Sequence, residues 1–191
     1  MVPEAYEQEV FESIVDKTMN EYGGHVSTGI VGIQQLMRTL TEYGNPELAL
    51  KIATNEDYPS WGYMVNSGAT TIWELWNGDK AAPDMNSANH VMLLGDLIIW
   101  EYEYLAGIKA VEPGFKKTQL KPYLVQGLDY VNCSYDSVYG KIVSSWKRNG
   151  NEFEWNIEIP ANTSATVFLP TSDGYKVEEY GSGKYSLKST L

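Results

Sequence analysis

One acidic residue stands out in the stretch "GATTIWELWNG", residues 68–78. Glu74 is the sole charged side chain there, lies between Trp73 and Trp76, and is followed by no other charge before Asp79. An acid without a partner is costly to bury, because desolvation disfavours its charged form. Glu74 is therefore predicted either to be a structural acid with satisfied hydrogen bonds or to face a pocket lined by aromatic rings.

Aromatic side chains are also frequent in the rest of the chain. They make up 13% of the residues and include 14 Tyr and 6 Trp. Most of them are expected in the core, but a minority clustered with acids and amides would suit sugars, whose pyranose rings combine flat C–H faces with hydroxyl groups. An apolar wall with a few polar groups is typical of small-molecule sites.

Composition argues against several other classes of function. The net charge of −11 disfavours nucleic acid and anionic membranes as partners, and no stretch is long and apolar enough for a membrane span. The single cysteine, Cys133, excludes an internal disulfide and a cysteine metal cluster. His25 and His90 lie far apart, so neither a metal nor another cofactor is predicted. The acidic, amphipathic N-terminus is unlike a secretory signal and leaves the compartment open.

From residue 4 to about 108 the apolar residues follow the 3.6-residue period of helices. Residues 57–70 interrupt this pattern with prolines and glycines and are predicted to be a loop. A long last helix is predicted from about Asn86 to Leu105, with Asn86 as its cap and Gly107 just beyond its end. The apolar positions of the first three helices are Val10, Phe11, Ile14, Val15 and Met19; Ile30, Ile33, Met37 and Leu40; and Leu48, Ile52 and Ala53.

Capping residues predict where these helices begin and end. Gly23 and Gly24 are expected to end the first helix, and Gly44 the second. Ser27 or Thr28 is expected to cap the second helix, and the Asn45-Pro46 pair to start the third. A small number of helices cannot bury both faces of each helix pair. The chain is therefore predicted to be part of a larger assembly.

After Gly107 the period changes to two, which is typical of strands. The stretch "EFEWNIEIP" places Phe153, Trp155, Ile157 and Ile159 on one face, and it is predicted to pair with "GKIVSSWKR" across Asn149-Gly150. "ATVFLP" is predicted as another strand, and "YKVEEYGSGKYSLKS" as a final hairpin that turns at residues 181–183. This pattern favours an antiparallel β-sandwich.

Two long stretches resemble a known enzyme family. "GHVSTGIVGIQQLMRTLTEYGNPELALKIATNEDYPSWGYMVNSGATTIWELWNG", followed by "NSANHVMLLGDLIIWEYEYLAGI", is similar to the end of the catalytic domain of bacterial α-L-rhamnosidases of glycoside hydrolase family 78. The later part, from "PGFKKTQLKPYL" to "ANTSATVFLP", resembles the β-sandwich that closes those enzymes. The resemblance implies the C-terminal part of an (α/α)6 barrel in residues 1–108, followed by a β-sandwich domain in residues 109–191.

The resemblance also implies an activity and a role for Glu74. Members of the family are inverting hydrolases that remove terminal α-L-rhamnose from glycosides or polysaccharides, and Glu74 matches their general base. Their general acid lies upstream of the matched region, so the chain is expected to carry half of the catalytic pair and to be inactive alone. Its exposed half-barrel is expected to support association into a homo-oligomer.

Four further residues are candidates for sugar binding. His90, in "NSANHV", matches a family position near the bound sugar; the alternative is a core or capping histidine. Trp73 and Trp76 flank the proposed base, and one of them is expected to face the pocket while the other packs in the core. Trp61, in "YPSWGYM", is expected either to form a rim on a loop or to pack beneath it.

Two other functions compete with a rhamnosidase at this point. The first is a different (α/α)6 glycosidase that acts on glucosides or uronides, because sugar specificity depends largely on the upstream half of the barrel. The second is a non-catalytic carbohydrate-binding module, which would bind rhamnose without turnover even after Glu74→Gln. Turnover of an aryl α-L-rhamnoside that is lost in Glu74→Gln would mean that the chain itself assembles a full catalytic site.

Overall fold

A computed structural model describes residues 2–82, 84 and 87–191 of the chain. The chain forms two compact units, the first ending at Trp100 and the second beginning at Glu101. The first unit is helical and the second consists mainly of strands. No helix in the described part of the chain is long and apolar enough to cross a membrane.

The first unit is built from amphipathic helices, as their periodicity predicts. Its core is formed by fully buried side chains such as Ile33, Met37 and Leu40 of the second helix, and Thr41 links this helix to the last one by accepting a hydrogen bond from Trp100 Nε1 at 2.8 Å. The helices are a 3₁₀ turn at Glu4–Tyr6, α1 at Glu7–Asp16 continuing as a π-helix at Lys17–Glu21, α2 at Ile33–Glu42, α3 at Pro46–Thr54, α4 at Trp61–Asn66 and α5 at Val91–Trp100.

Two of the helix starts differ from their predictions. α2 begins at Ile33 after Gly32, which provides no side-chain cap, so neither Ser27 nor Thr28 caps it. The predicted loop at 57–70 contains the short helix α4, because Ser60 accepts a hydrogen bond from Tyr63 N and starts it. The predicted cap of α3 is confirmed, since Asn45 Oδ1 accepts from Leu48 N at 3.2 Å.

The last helix begins later than expected. α5 starts at Val91, and Asn86, the predicted cap, lies outside the described residues. The residues just before α5 cannot be helical, because their backbone groups bond to another segment: Glu74 N donates to Ser87 O at 2.9 Å, and His90 N donates to Ile72 O at 2.7 Å. The helical spacing of the sequence gives no warning of this pairing.

The second unit is a sandwich of two four-stranded sheets. It opens with a π-helix at Glu101–Leu105, and its sheets have the strand orders β1-β2-β6-β7 and β3-β4-β5-β8. All neighbouring strands are antiparallel except β2 and β6, which run parallel. The strands are β1 (Ile108–Ala110), β2 (Lys117–Leu120), β3 (Tyr130–Ser137), β4 (Gly140–Asn149), β5 (Glu152–Ile159), β6 (Ser164–Thr171), β7 (Gly174–Tyr180) and β8 (Gly183–Thr190).

The alternation of β5 is confirmed. The apolar residues Phe153, Trp155, Ile157 and Ile159 are all buried and pack in the core between the sheets. β4 and β5 form the predicted hairpin, with Asn149 opposite Glu152. Its turn is therefore formed by residues 150 and 151, one position later than expected, and Gly150 supplies the positive φ of 58°.

The predicted final hairpin is wrong. β7 pairs with β6 after the turn at Ser172 and Asp173, whereas β8 pairs with β5 in the other sheet. The residues at 181 and 182 therefore link the two sheets instead of closing a hairpin. The reason is burial, because Leu187 lies opposite Trp155 and packs against the core from β8, while β7 is largely exposed.

Candidate active site

Glu74 lies on a segment without regular secondary structure and is half-buried. Two hydrogen bonds to Ser87 fix it: Glu74 N donates to Ser87 O at 2.9 Å, and Ser87 N donates to Glu74 Oε2 at 3.0 Å. An ionised carboxylate accepts at about four positions, so the bond from Ser87 N is compatible with the same group also holding a water.

The segment that carries Glu74 runs beside residues 87–90. His90 N donates to Ile72 O at 2.7 Å, and Thr71 Oγ1 donates to Ala88 O, so the pairing extends along both segments. These bonds fix the backbone immediately before Glu74. A side chain that must hold a reactant needs such support, because small displacements of a catalytic group reduce the rate strongly.

The two tryptophans that flank Glu74 have different surroundings. Trp73 is half-buried and lies over Gly78, so closely that a Cβ at position 78 would lie 2.7 Å from Trp73 Cγ. Trp76 donates from Nε1 to Thr28 O at 2.8 Å, and its ring meets the ring of Trp61 edge-on, with centroids 5.2 Å apart. Trp76 therefore joins the Glu74 segment to the helical core.

The predicted loop position of Trp61 is wrong. Trp61 is the first residue of α4, is only 4% exposed, and donates from Nε1 to Leu93 O at 3.2 Å. These contacts favour core packing over a role at the rim of a sugar site.

His90 is half-buried at the end of the segment that pairs with Glu74. Its Nδ1 atom is buried and makes no hydrogen bond to any described residue. A buried polar atom without a partner is costly, so its presence in a native structure needs an explanation. A ligand hydroxyl group would supply the missing partner.

A second anchor of the Glu74 segment was not found from the sequence. Tyr63 of α4 donates its hydroxyl proton to the carboxylate of Asp79, with distances of 3.0 and 2.9 Å to the two oxygens. Lys80 Nζ donates to the same Tyr63 oxygen at 3.2 Å, and this bond is the main cause of a raised Lys80 pKa. The available signal was Asp79 itself, the first charge after Glu74 in the sequence.

An open cleft of about 390 Å³ lies beside this segment. Its volume falls within the range of about 300–1,000 Å³ that is usual for small-molecule sites. The lining is mainly apolar with a few hydroxyl and amide groups, and consists of Met64, Val65, Ala69, Thr70, Thr71, Ile72, Asn89, Val91 and Leu94.

Comparison with known proteins accounts for both units of the chain. Residues 1–105 match the family model for the bacterial α-L-rhamnosidase six-hairpin glycosidase domain, and residues 107–184 match the model for the bacterial α-L-rhamnosidase C-terminal domain. The chain belongs to the bacterial α-L-rhamnosidase family. The fold predicted from the resemblance, part of a six-hairpin barrel followed by a β-sandwich, is thereby confirmed.

Individual rhamnosidases support the same assignment. An α-L-rhamnosidase from Formosa agariphila is 33% identical over 96% of the chain, and one from Streptomyces avermitilis is 28% identical over 97%. The structure of an α-L-rhamnosidase from Dictyoglumus thermophilum superimposes on all of the chain with a TM-score of 0.91 and 30% identity. The Streptomyces avermitilis enzyme complexed with L-rhamnose superimposes on 98% of it, with a TM-score of 0.90 and 27% identity.

The chain covers only a small part of each of these relatives. It spans 21% of the Formosa agariphila protein, 20% of the Streptomyces avermitilis protein and 24% of the Dictyoglumus thermophilum chain. About four-fifths of each relative therefore has no counterpart in this chain.

Proposed function

We propose that the chain is the C-terminal part of an inverting α-L-rhamnosidase that hydrolyses terminal α-L-rhamnose from glycosides, with Glu74 as its general base. The observation that carries this proposal is the geometry of Glu74 within the six-hairpin domain. Its half-buried carboxylate accepts a backbone N–H bond from Ser87 and lies on a segment held by hydrogen bonds on both sides.

Inversion requires two carboxyl groups that act on opposite faces of the sugar. The base removes a proton from a water as the water attacks the anomeric carbon, while a protonated acid donates to the departing glycosidic oxygen. The two groups lie about 6.5–9.5 Å apart in such enzymes, which leaves room for the water. In this proposal Glu74 fills the first role, and a residue upstream of this chain fills the second.

Two other residues are proposed to contact the sugar. His90 would hydrogen-bond a sugar hydroxyl through Nδ1, the buried atom that has no partner among the described residues. Trp73 is the better candidate for the apolar sugar face, because Trp76 is already engaged by Thr28 and Trp61. Trp61 is left out of the site because of its burial.

Incompleteness of the barrel predicts a surface for association. Apart from Asp96, α5 is apolar around its circumference, yet only Leu93 and Trp100 are buried, while Val91 is 72% exposed and Met92 53% exposed. A helix that is apolar all round is normally buried. We therefore propose that the chain alone forms homo-oligomers through α5. The double variant Val91→Lys, Met92→Lys should be more monomeric than the unchanged chain, as measured by analytical ultracentrifugation. An unchanged chain that is already monomeric would contradict this proposal.

The function is tested by supplying the missing part of the barrel. The upstream part of the Dictyoglumus thermophilum enzyme is joined to this chain, and hydrolysis of an aryl α-L-rhamnoside is measured beside the chain alone. We expect turnover by the chimera and none by the chain. Glu74→Gln in the chimera should lower kcat by about 10²–10⁴-fold, the usual contribution of a general acid or base.

A matched acid provides the control for this experiment. Glu56 is exposed and also lies on a segment without regular structure, so Glu56→Gln should leave kcat unchanged. Full activity of the Glu74→Gln chimera would refute the assigned base. Rhamnose binding by the chain alone that survives Glu74→Gln, with no turnover by the chimera, would favour a non-catalytic binding module.

A further inference from the structure

The sheet β3-β4-β5-β8 carries an open groove on the face that points away from the core. The groove has a volume of about 390 Å³, within the range of about 300–1,000 Å³ that is usual for small-molecule sites. Its lining includes Asn132, Ser145 and Asn156. Each of them is adjacent in its strand to a residue that packs in the core, so all three side chains project outwards.

Uncharged hydrogen-bonding groups form a row across this face. The register places Asn132, Ser145, Asn156 and Ser186 next to one another on β3, β4, β5 and β8. Ser145 Oγ donates to Asn132 Oδ1, and Ser186 Oγ donates to Asn156 Oδ1 at 2.7 Å. Each amide therefore keeps its Nδ2 hydrogens as donors, and each serine oxygen keeps its lone pairs as acceptors.

The charges in the lining cancel. Lys147 and Arg148 provide two positive groups, and Asp129 and Glu154 provide two negative groups. Lys147 Nζ lies 2.7 Å from Glu154 Oε2, and Arg148 Nε lies 3.5 Å from Asp129 Oδ1. Because each of these charges already has a partner of opposite sign, neither an anion nor a cation would gain a net attraction in the groove.

Tyr130 adds an aromatic surface to the same groove. It lies two positions before Asn132, which places it on the same face of β3, and it is 64% exposed. The C–H face of a pyranose ring packs against such a surface, while the hydroxyl groups of the sugar both donate and accept. Neighbouring strands lie about 4.7–4.9 Å apart, so the strands that carry Asn132 and Asn156 lie about 9–10 Å apart. Two linked pyranose rings cover this span, whereas one does not.

We propose that the groove binds a neutral disaccharide unit. Asn132 and Asn156 donate to hydroxyl groups of successive rings, Ser145 accepts between them, and Tyr130 packs against the face of a ring. The proposal does not depend on rhamnosidase activity, because every residue that it uses belongs to the second unit and none takes part in the proposed hydrolysis.

Saturation-transfer NMR with the whole chain tests the groove. Three neutral disaccharides, rutinose, cellobiose and lactose, are titrated separately, and the signals of each sugar give its dissociation constant. We expect saturable binding of at least one of them. Digalacturonic acid should bind more weakly, because the chain has a net charge of −11 and the lining provides no net positive charge.

Asn→Asp variants isolate the two donors. An ionised aspartate has the shape of asparagine and still accepts from the neighbouring serine, but it cannot donate. Asn132→Asp and Asn156→Asp should each raise the dissociation constant about two- to tenfold, which corresponds to one lost hydrogen bond. Asn151→Asp makes the same change on an exposed turn outside the groove and should leave it unchanged. Tyr130→Ala should weaken binding, whereas Tyr130→Phe should preserve it.

Four results would overturn the proposal. The first is the absence of saturable binding for all three neutral disaccharides, and the second is an unchanged dissociation constant in Asn132→Asp and Asn156→Asp. The third is tighter binding of digalacturonic acid than of the neutral sugars, which would assign the groove to anions. The fourth is a loss of binding in Glu74→Gln, which would place the bound sugar at the proposed catalytic residue.

Discussion

The buried hydroxyl of Ser144 is predicted to be a large contributor to the stability of the sandwich. Ser144 is fully buried; it donates to Ala106 O at 2.6 Å and accepts from Trp155 Nε1 at 2.9 Å. Ser144→Ala would leave a buried indole N–H and a buried carbonyl without this partner. Each such group costs about 1–3 kcal/mol, so the free energy of unfolding should fall by about 2–6 kcal/mol.

The neighbouring serine is the matched control. Ser145 points to the opposite face of β4, where its hydroxyl donates to the exposed Asn132. Ser145→Ala removes the same atoms where water can replace the lost bond, so its cost should be within about 0.5 kcal/mol. The two variants differ by one position in the sequence and by one face of the sheet.

Calorimetric unfolding measures both variants. For a unit of this size, each kcal/mol shifts the melting temperature by about 4–8 °C, so Ser144→Ala should melt at least about 8 °C lower. A double-mutant cycle with Trp155→Phe should show coupling between the two residues, because they share one hydrogen bond. Equal melting temperatures for Ser144→Ala and Ser145→Ala would show that the buried Ser144 hydroxyl does not stabilise the sandwich more than the exposed one. An absence of coupling to Trp155 would contradict the prediction as well.

Two further predictions concern the Glu74 segment and the outer face of the sandwich. Gly78→Ala should destabilise the first unit by about 1–3 kcal/mol, because the added methyl group would clash with Trp73. Gly95→Ala should stabilise the same unit by about 0.5–1 kcal/mol, since Gly95 lies in a helix with open space around it. Urea denaturation tests both variants, and a loss of stability in Gly95→Ala as large as that in Gly78→Ala would contradict the prediction. Hydrogen bonds from Lys147 and then Lys188 lower the pKa of Glu154 to about 2. Because the pKa of Glu154 is lower in the folded than in the unfolded chain, this stabilisation is present above pH 4.5 and is lost as the pH falls towards 2. An NMR titration of the carboxyl group should show that Lys147→Ala raises the Glu154 pKa. An unchanged pKa would contradict the role of Lys147.

Local patterns were sufficient for much of the sandwich but could not assign every strand to a sheet. The alternation of β5 and the glycine turn after β4 follow from side-chain period and backbone geometry, which are local properties. The glycines near residue 181 also indicated a turn, but a turn residue does not determine which free edge the next strand joins. That choice depends on the core, where Leu187 of β8 packs opposite Trp155.

The same limit applies to the proposed active site. Glu74 was found because a lone acid between tryptophans is unusual, and that information lies within a few residues. Its fixation by Ser87 and the anchor formed by Tyr63 and Asp79 are contacts between distant positions, which no period or spacing reports. The prolines and glycines around Trp61 predict a loop, because they obscure the Ser60 cap that starts α4.

Rescue of a Glu74→Ala chimera by azide tests most directly whether Glu74 is the base of an inverting reaction. Removing the side chain leaves space for a small anion, which can attack the anomeric carbon from the face where the base normally activates water. We expect azide to restore turnover of an aryl α-L-rhamnoside in Glu74→Ala and to have no effect on the already active Glu56→Ala, and we expect NMR to identify the product of the rescued reaction as the β-rhamnosyl azide. Undiminished hydrolysis by Glu74→Ala without azide, or an α-configured azide product, would contradict it.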